Sequence, residues 1–422
     1  MNPEKAELKE RVILVAVTDS DGMPPSVEEL KELVKTAGAE VAAVLVQHRS
    51  AMHPRTYLGT GKLLELEQMI SLTDATGIIC DDELTPSQIR SMEEVLHTKI
   101  MDRTLVILDI FAAHATSGEG KLQVELAQLR HQLTQLTGIG RDLSRLGGGI
   151  GTRGPGEKKL ETDRRLIGRR ISHLKRELKD LQQHRDLTRA QRMESEIPIA
   201  AIVGYTNAGK SSLLNCLTDS DIPANDRLFD TLDTTTRRLR IDETQEVLLS
   251  DTVGFIRKLP THLIEAFKAT LEELSYADVL LHVIDISNPE WEEQARIVDE
   301  LVRQLGAEQT PCLRIFNKCD RYFGILPHGE NVICISARTG EGTDALIRKL
   351  SEMLDLGRKH VRLVIPYSEA GIMDRLNREA VLKKQEYTES GIEVEAIVTP
   401  EIFGRVKQFI PDYEEPREEW EQ

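Results

Sequence analysis

Ile199-Ala200-Ala201-Ile202-Val203-Gly204-Tyr205-Thr206-Asn207-Ala208-Gly209-Lys210-Ser211 is the stretch that decides the fold. An apolar run reads as a buried strand, the eight residues from Gly204 to Ser211 fit G-x-x-x-x-G-K-[ST], and an apolar-periodic helix starts where they end. Strand, glycine-rich loop and helix in that order form a phosphate cradle. The glycines let backbone N–H groups turn inward, and the helix N-terminus adds partial positive charge. Lys210 reaches the β- and γ-phosphates, and Ser211 offers a hydroxyl to magnesium.

Working outward, Asp251-Thr252-Val253-Gly254 closes the apolar run Val247 to Ser250, and D-x-x-G at this distance places a carboxylate near magnesium, through water, and the Gly254 N–H on the γ-phosphate. Asn317-Lys318-Cys319-Asp320 follows the run Cys312 to Phe316. An aspartate here accepts from both N1–H and the exocyclic amine of guanine, donors that adenine lacks, so the pocket selects GTP and GDP over ATP. Ser336-Ala337-Arg338 completes the base pocket. Between helix and Asp251 lies Phe229-Asp230-Thr231-Leu232-Asp233-Thr234-Thr235-Thr236, a loop expected to order when a threonine binds magnesium beside a γ-phosphate. Spacing leaves Thr231, Thr234, Thr235 and Thr236 as alternatives for that threonine.

The rest of the chain divides around this region. Residues 1–116 alternate strand-like and helical runs: Val12 to Val17, Val27 to Thr36, Val41 to Val46, Leu63 to Ile70, Gly77 to Cys80, Ile89 to Leu96 and Leu105 to Ile110, the last expected as a strand. Residues 117–196 carry heptads, Leu122, Leu126, Leu129, Leu133 and Leu136, then Leu160, Ile167, Ile171, Leu174, Leu178 and Leu181. Glycines between Gly138 and Gly156 predict a loop over 138–156, making an antiparallel coiled-coil hairpin with a glycine-rich tip. Residues 197–358 read as one doubly wound domain and 359–422 as a small α+β unit with an acidic tail. The expected class is therefore α/β: a P-loop GTPase domain with an N-terminal parallel-sheet domain, a hairpin and a C-terminal α+β domain.

Of 422 residues, 40% are hydrophobic and 29% charged, ordinary for a multidomain globular chain, and the formal charge of -16 disfavours indiscriminate binding to nucleic acid, DNA included. One segment departs from this. From Arg141 to Arg192 fifteen basic residues face seven acidic ones, a net of +8. Arg141, Arg145 and Arg153 in the tip, with Lys158 and Lys159 at its edge, are candidate RNA contacts, since phosphate suits them within an acidic molecule. The five cysteines have no C-x-x-C spacing and suggest neither zinc nor a disulfide framework. Met1 to Arg11 lacks a signal core and no run approaches a membrane span, so the cytoplasm is expected. Gly59-Thr60-Gly61-Lys62 reads first as a G-x-G turn before a helix.

Taken together, G-Y-T-N-A-G-K-S at Gly204 to Ser211, F-x-T-L-D at Phe229 to Asp233, D-T-V-G-F at Asp251 to Phe255, N-K-C-D at Asn317 to Asp320 and G-x-x-T-R-G-P-G-E at Gly148 to Glu157 resemble the HflX family of translational GTPases, over almost the whole chain. The resemblance picks Thr231 as the magnesium threonine, which leaves Lys210, Thr231 and Gly254 as the catalytic candidates. It implies a protein acting on the large ribosomal subunit and its rRNA and splitting stalled or stressed ribosomes; a monomer is expected. It also implies nucleotide, ATP included, at the first domain. Thr234 stands where many relatives carry proline. Phe255 stands where Ras-like proteins carry a water-orienting glutamine, so no side-chain base is assigned and hydrolysis is expected to need outside help. A GTP-dependent regulatory module that sequesters RNA or protein, and an ATP-dependent RNA remodeller, are the alternatives.

Overall fold

The computed structural model describes residues 10–19, 21–146, 155–193, 197–218, 229, 235–241, 246–252, 254–260, 263, 274, 276–354, 359–369, 371–388, 391–398 and 400–411. Two compact units divide the chain, one of residues 1–239 with 248–343, the other of 240–247 with 344–422.

The larger unit holds two α/β sheets. In the first, β1 (Arg11–Thr18), β2 (Glu40–His48), β3 (Gly77–Cys80) and β4 (Lys99–Asp102) lie parallel in the order β2-β1-β3-β4. Val12 to Ala16 are all buried, as a central strand covered on both faces demands. Helices α1 (Pro25–Thr36), α2 (Thr60–Thr73), α3 (Pro86–Leu96) and α4 (Arg103–His114) connect and cover it. Proline begins α1 and α3, where its missing N–H is harmless, and Thr85 and Gln88 close a capping box at α3. The run Leu105 to Ile110, expected as a strand, is the middle of α4. Asp102 starts that helix by accepting from the Leu105 N–H at 3.0 Å, and the run is apolar apart from the exposed Asp109 because most of the helix is buried.

The hairpin stem is α5 (Gly118–Leu146) and α6 (Pro155–Met193). Leu126, Ile171 and Leu174 form its buried seam, joined by Leu122, Leu129, Leu133, Ile167 and Leu178. The expected antiparallel register is borne out within the described residues: Glu125 meets Arg170 while Leu136, later in α5, meets Arg164, earlier in α6. Arg170 grips Glu125 with two bonds of 2.7 and 2.9 Å. The expected loop is too long, however. The helix continues through Gly138 and Gly140 to Leu146 and the next starts at Pro155, since two glycines at ~1 kcal/mol each weaken a helix without ending it.

The second sheet has the order β10-β9-β8-β5-β7-β6, from β5 (Ile199–Gly204), β6 (Thr235–Arg240), β7 (Glu246–Asp251), β8 (Val279–Asp285), β9 (Cys312–Asn317) and β10 (Val332–Cys334). β10, β9, β8, β5 and β7 run parallel. Helices α7 (Lys210–Thr218) and α8 (Trp291–Gln304) accompany it. The ends of these parallel strands gather the motif loops, the usual place for a ligand in such a sheet.

In the smaller unit, α9 (Thr343–Leu354) precedes an antiparallel sheet β11-β13-β12, from β11 (Lys359–Ile365), β12 (Val381–Thr388) and β13 (Gly391–Val398). Helices α10 (Gly371–Glu379) and α11 (Pro400–Val406) contribute Met373, Leu376, Ile402 and Val406 to a core with Leu363, Ile365, Val394, Ala396 and Val398. Burial alternates along β13, as expected of a sheet with one covered face.

Candidate functional site

The loop from Gly204 to Gly209 joins β5 to α7 under tight backbone constraint. A Cβ on Gly204 would collide with the carbonyl oxygen of Val283 in neighbouring β8. Gly209 has φ +94°, and a Cβ there would strike the Asn317 side-chain nitrogen. Only glycine satisfies both the torsion and the contact. Asn207 also takes a left-handed φ of 62°, a conformation asparagine tolerates better than most residues.

Lys210 is 7% exposed and donates to the carbonyls of Tyr205 at 2.9 Å and Gly204 at 3.2 Å. Burial pulls its pKa down to about 8, with Asp251 opposing the shift. Ser211 Oγ donates to Asp251 Oδ2 at 3.1 Å, and Asp251 is buried at the end of β7. This hydroxyl and carboxylate are hard oxygen donors of the kind magnesium takes. Gly254 comes next to the loop: a Cβ there would lie 2.8 Å from Thr206 Cγ2 and 2.9 Å from Lys210 Nζ. Two backbone bonds fasten the segments, Thr206 N–H to Phe255 O at 2.8 Å and Phe255 N–H to Gly204 O at 3.1 Å. Phe255 is 1% exposed and belongs to the core cluster that contains Phe111, Tyr205 and Phe229. It is a packing residue.

The third and fourth motifs are stitched to the first. Asn317 donates to the Ala208 carbonyl at 2.9 Å and accepts from the Ala337 N–H at 3.0 Å. Lys318 donates to Asn207 O and to Asp285 Oδ2, both at 2.7 Å. Asp320 is exposed and accepts from the buried Ser336 hydroxyl at 2.8 Å, which fixes one carboxylate oxygen and aims the group outward. Four motifs separated in sequence thus form one hydrogen-bonded rim with a cation, a carboxylate–hydroxyl pair and an aimed carboxylate. Phe229 is buried edge-on against Phe111, ring centroids 4.7 Å apart. Asp230, Thr231, Leu232, Asp233 and Val253 lie outside the described residues. So do Arg153 and the side chains of Arg141, Arg145, Lys158 and Lys159, whose backbones belong to α5 and α6.

Sequence reasoning missed what holds this rim from behind. The Tyr205 hydroxyl donates to Glu29 of α1 and accepts from the Arg257 N–H at 2.8 Å; burial raises its pKa to about 12, so it stays a donor. Arg103, 1% exposed, pairs with Glu29 and with Asp81 at 2.9 Å. Lys258, at φ 52°, reaches Asp81 and Asp82, each at 2.6 Å. These pairs span up to 177 positions, and no local pattern in the sequence marks them. The Gly59-to-Lys62 turn is the start of α2: the Gly59 N–H donates to Gln47 at 2.9 Å and Lys62 pairs with Glu65 at 2.8 Å. All five cysteines are free thiols, and no cluster of three or more His, Cys, Asp or Glu suited to a metal occurs among the described residues. Nor is any described helix long and apolar enough to cross a membrane.

Known proteins resemble this chain over nearly its whole length. Residues 25–112 match a family model described as GTP-binding GTPase N-terminal, 114–192 one described as GTP-binding GTPase Middle Region, and 199–318 one described as 50S ribosome-binding GTPase. The chain is 53% identical over 407 residues to a GTPase HflX of Lacrimispora saccharolytica, covering 95% of this chain and 96% of the relative. It is 38% identical over 396 residues to a GTPase HflX of Escherichia coli, covering 92% and 93%. Among solved structures it is similar to a GTP-binding protein from the archaeon Sulfolobus solfataricus in complex with GDP, at 26% identity, 81% and 99% coverage and a TM-score of 0.44.

Proposed function

The chain belongs to the HflX family of GTPases, and on that premise we propose that this GTPase works on the ribosome, binding the large subunit and its rRNA in the GTP state and splitting stalled or stress-inactivated ribosomes. The observation that carries the reading is the burial of Phe255. A core-packed phenyl ring offers no hydrogen bond to water where related switch proteins use glutamine, so the free protein turns over slowly and a large partner completes the site. The family description of residues 199–318 as a 50S ribosome-binding GTPase supports that partner.

In this reading Lys210 and the N–H groups of the Gly204–Ser211 loop hold the β- and γ-phosphates, Gly254 meets the γ-phosphate, and Asp320, steadied by Ser336, reads guanine. Ser211 and Thr231, with Asp251 through water, hold magnesium, whose charge offsets that of the phosphates. The basic hairpin tip carries the RNA contact, and the protein acts as a cytoplasmic monomer. The test is sedimentation of whole ribosomes with GTP-loaded protein. Conversion to subunits, with the protein travelling on the large one, is expected. Intact ribosomes and no stimulation of GTP turnover by large subunits would sink the proposal.

A further inference from the structure

Tyr205 is the second residue of the phosphate loop, yet its ring is packed in the core, 4% exposed and in one cluster with Val27, Phe111 and Phe255. Backbone and side chain both hold the segment that follows Asp251. Through the backbone, Tyr205 and Phe255 form a parallel bridge, with Thr206 N–H on Phe255 O at 2.8 Å and Phe255 N–H on Gly204 O at 3.1 Å. Through the side chain, the hydroxyl accepts from the Arg257 N–H at 2.8 Å. The bonds at Phe255 fix one point of the segment, and the bond two residues on fixes its direction. Gly254 lies on the other side of Phe255, where a Cβ would be 2.9 Å from Lys210 Nζ. A hydroxyl has one proton, and since it accepts from Arg257 that proton goes to Glu29 Oε2. The other oxygen of this carboxylate is gripped by Arg103, itself held by Asp81 at 2.9 Å and by the Ser26 carbonyl at 3.1 Å. Glu29 belongs to α1 and Arg103 to α4, so the helices of the first sheet decide which way the hydroxyl points.

We propose that Tyr205 is a positioning residue for the γ-phosphate: its hydroxyl, oriented by Glu29, holds Arg257 so that the Gly254 N–H stands ready for a third phosphate, which sets the preference for GTP over GDP. A segment that must be ordered when the ligand arrives subtracts that ordering from affinity, and one ordered beforehand does not. Only GTP carries the phosphate that Gly254 meets. The gain therefore falls on GTP and on its hydrolysis, while GDP relies on Lys210 and the loop N–H groups. The first sheet thereby acts on nucleotide choice without touching the nucleotide, through one carboxylate and one hydroxyl.

The proposal rests on Lys210 and Gly254 being at the phosphates as assigned above, and the experiment separates the two ideas. GTP and GDP affinities and single-turnover GTP hydrolysis are measured on the full chain for Tyr205→Phe, Glu29→Gln and the double variant, with Lys210→Ala alongside. Tyr205→Phe keeps the ring and loses the hydroxyl, so the ratio of GTP to GDP affinity is expected to fall about 2- to 10-fold, the scale of one hydrogen bond, and hydrolysis of bound GTP to slow with it. Glu29→Gln offers one oxygen where the carboxylate uses two, for Arg103 and for Tyr205. It is expected to lower the ratio in the parent but no further in Tyr205→Phe, since both changes break the same link. Equal losses of GTP and GDP affinity in Tyr205→Phe would make the tyrosine a support of the loop and nothing more. A ratio unchanged or raised would mean that the bond to Arg257 does not serve the γ-phosphate, and additive effects of the two changes would remove Glu29 from the link. If Lys210→Ala still binds both nucleotides normally, the phosphate assignment itself is wrong, whatever the tyrosine variants do.

Discussion

Two loops that begin with glycine and end in Gly-Lys lead into helices of two parallel sheets, Gly59-Thr60-Gly61-Lys62 before α2 and Gly204 to Lys210 before α7. Gly59 has an ordinary φ of -71° as a helix cap, and a Cβ on Gly61 would meet nothing within 4 Å. At Gly209 the φ is +94° and a neighbour from β9 already fills the space. Lys62 lies at the surface, paired with Glu65, whereas Lys210 is buried against carbonyls. The difference is not in the residue types. It is whether neighbouring strands close on the loop, which makes the backbone rigid enough to present its N–H groups and hold a desolvated cation.

Alanine at the two glycines gives the largest contrast. Gly209→Ala forces a left-handed alanine into Asn317 and is expected to weaken GTP binding by about 100-fold or more, combining strain of 1–3 kcal/mol with loss of the loop's shape. Gly61→Ala lies in open space within the first turn of a helix and should leave binding unchanged while adding up to ~1 kcal/mol of stability. Titration with a fluorescent GTP analogue reads the first effect and urea unfolding the second. Equal effects on nucleotide affinity would erase the distinction drawn above.

At the base end, Asp320→Asn exchanges an acceptor for a donor. GTP should weaken, and xanthosine triphosphate, which has a carbonyl in place of the amine, should gain by ~1–3 kcal/mol relative to it. Competition binding of the two nucleotides measures the ratio, and a parallel loss of both would remove Asp320 from the base pocket.

These contrasts show where the sequence was readable. Motifs whose members are fixed by a strand–loop–helix turn, such as Gly204 to Ser211, carry their geometry in local spacing, and so do the heptads of the hairpin. Leu105 to Ile110 was misread because a mostly buried helix and a buried strand are both nearly all apolar, and the Asp102 cap and the exposed Asp109 separate them. The loop limits failed for a related reason: Gly138 and Gly140 weaken a helix without ending it. The support of Tyr205 by Glu29, and of the Lys258 turn by Asp81 and Asp82, was invisible, since no local pattern announces a pair 176 or 177 positions apart.

The buried lysine predicts a pH dependence. With its folded pKa near 8 against an ordinary 10.5, Lys210 loses its proton on the free protein as pH rises through about 8. Bound phosphates hold the proton on, so binding takes up a proton above that pH. GTP affinity should be flat below about pH 8 and fall above it, by at most tenfold per unit. Stability of the nucleotide-free protein has the opposite sign. The unfolded chain keeps this proton up to 10.5 while the fold gives it up at about 8, so Lys210 contributes a rise in stability across that window. Calorimetry in buffers of different ionisation enthalpy, at about pH 7 and pH 8.5, counts the proton, and no uptake at the higher pH would mean that Lys210 is charged before nucleotide arrives.

The smallest expected effect concerns the join between the two sheets. Lys258 donates to Asp81 and Asp82, linking the segment after Gly254 to the end of β3. Its side chain is 40% exposed, so solvent screens the pairs. Asp81 is 1% exposed, and abandoning such a buried charge costs about 3–5 kcal/mol, but it is not abandoned when Lys258 is removed: Arg103 remains at 2.9 Å and the Ser26 hydroxyl at 2.7 Å. Lys258→Met should therefore lower stability by only about 0–1 kcal/mol in urea unfolding at low salt, and by less as salt rises. A loss of several kcal/mol, insensitive to salt, would mean that Asp81 depends on Lys258 for its charge. The first sheet would then be held to the nucleotide site chiefly by that one lysine, with Arg103 only filling space beside it.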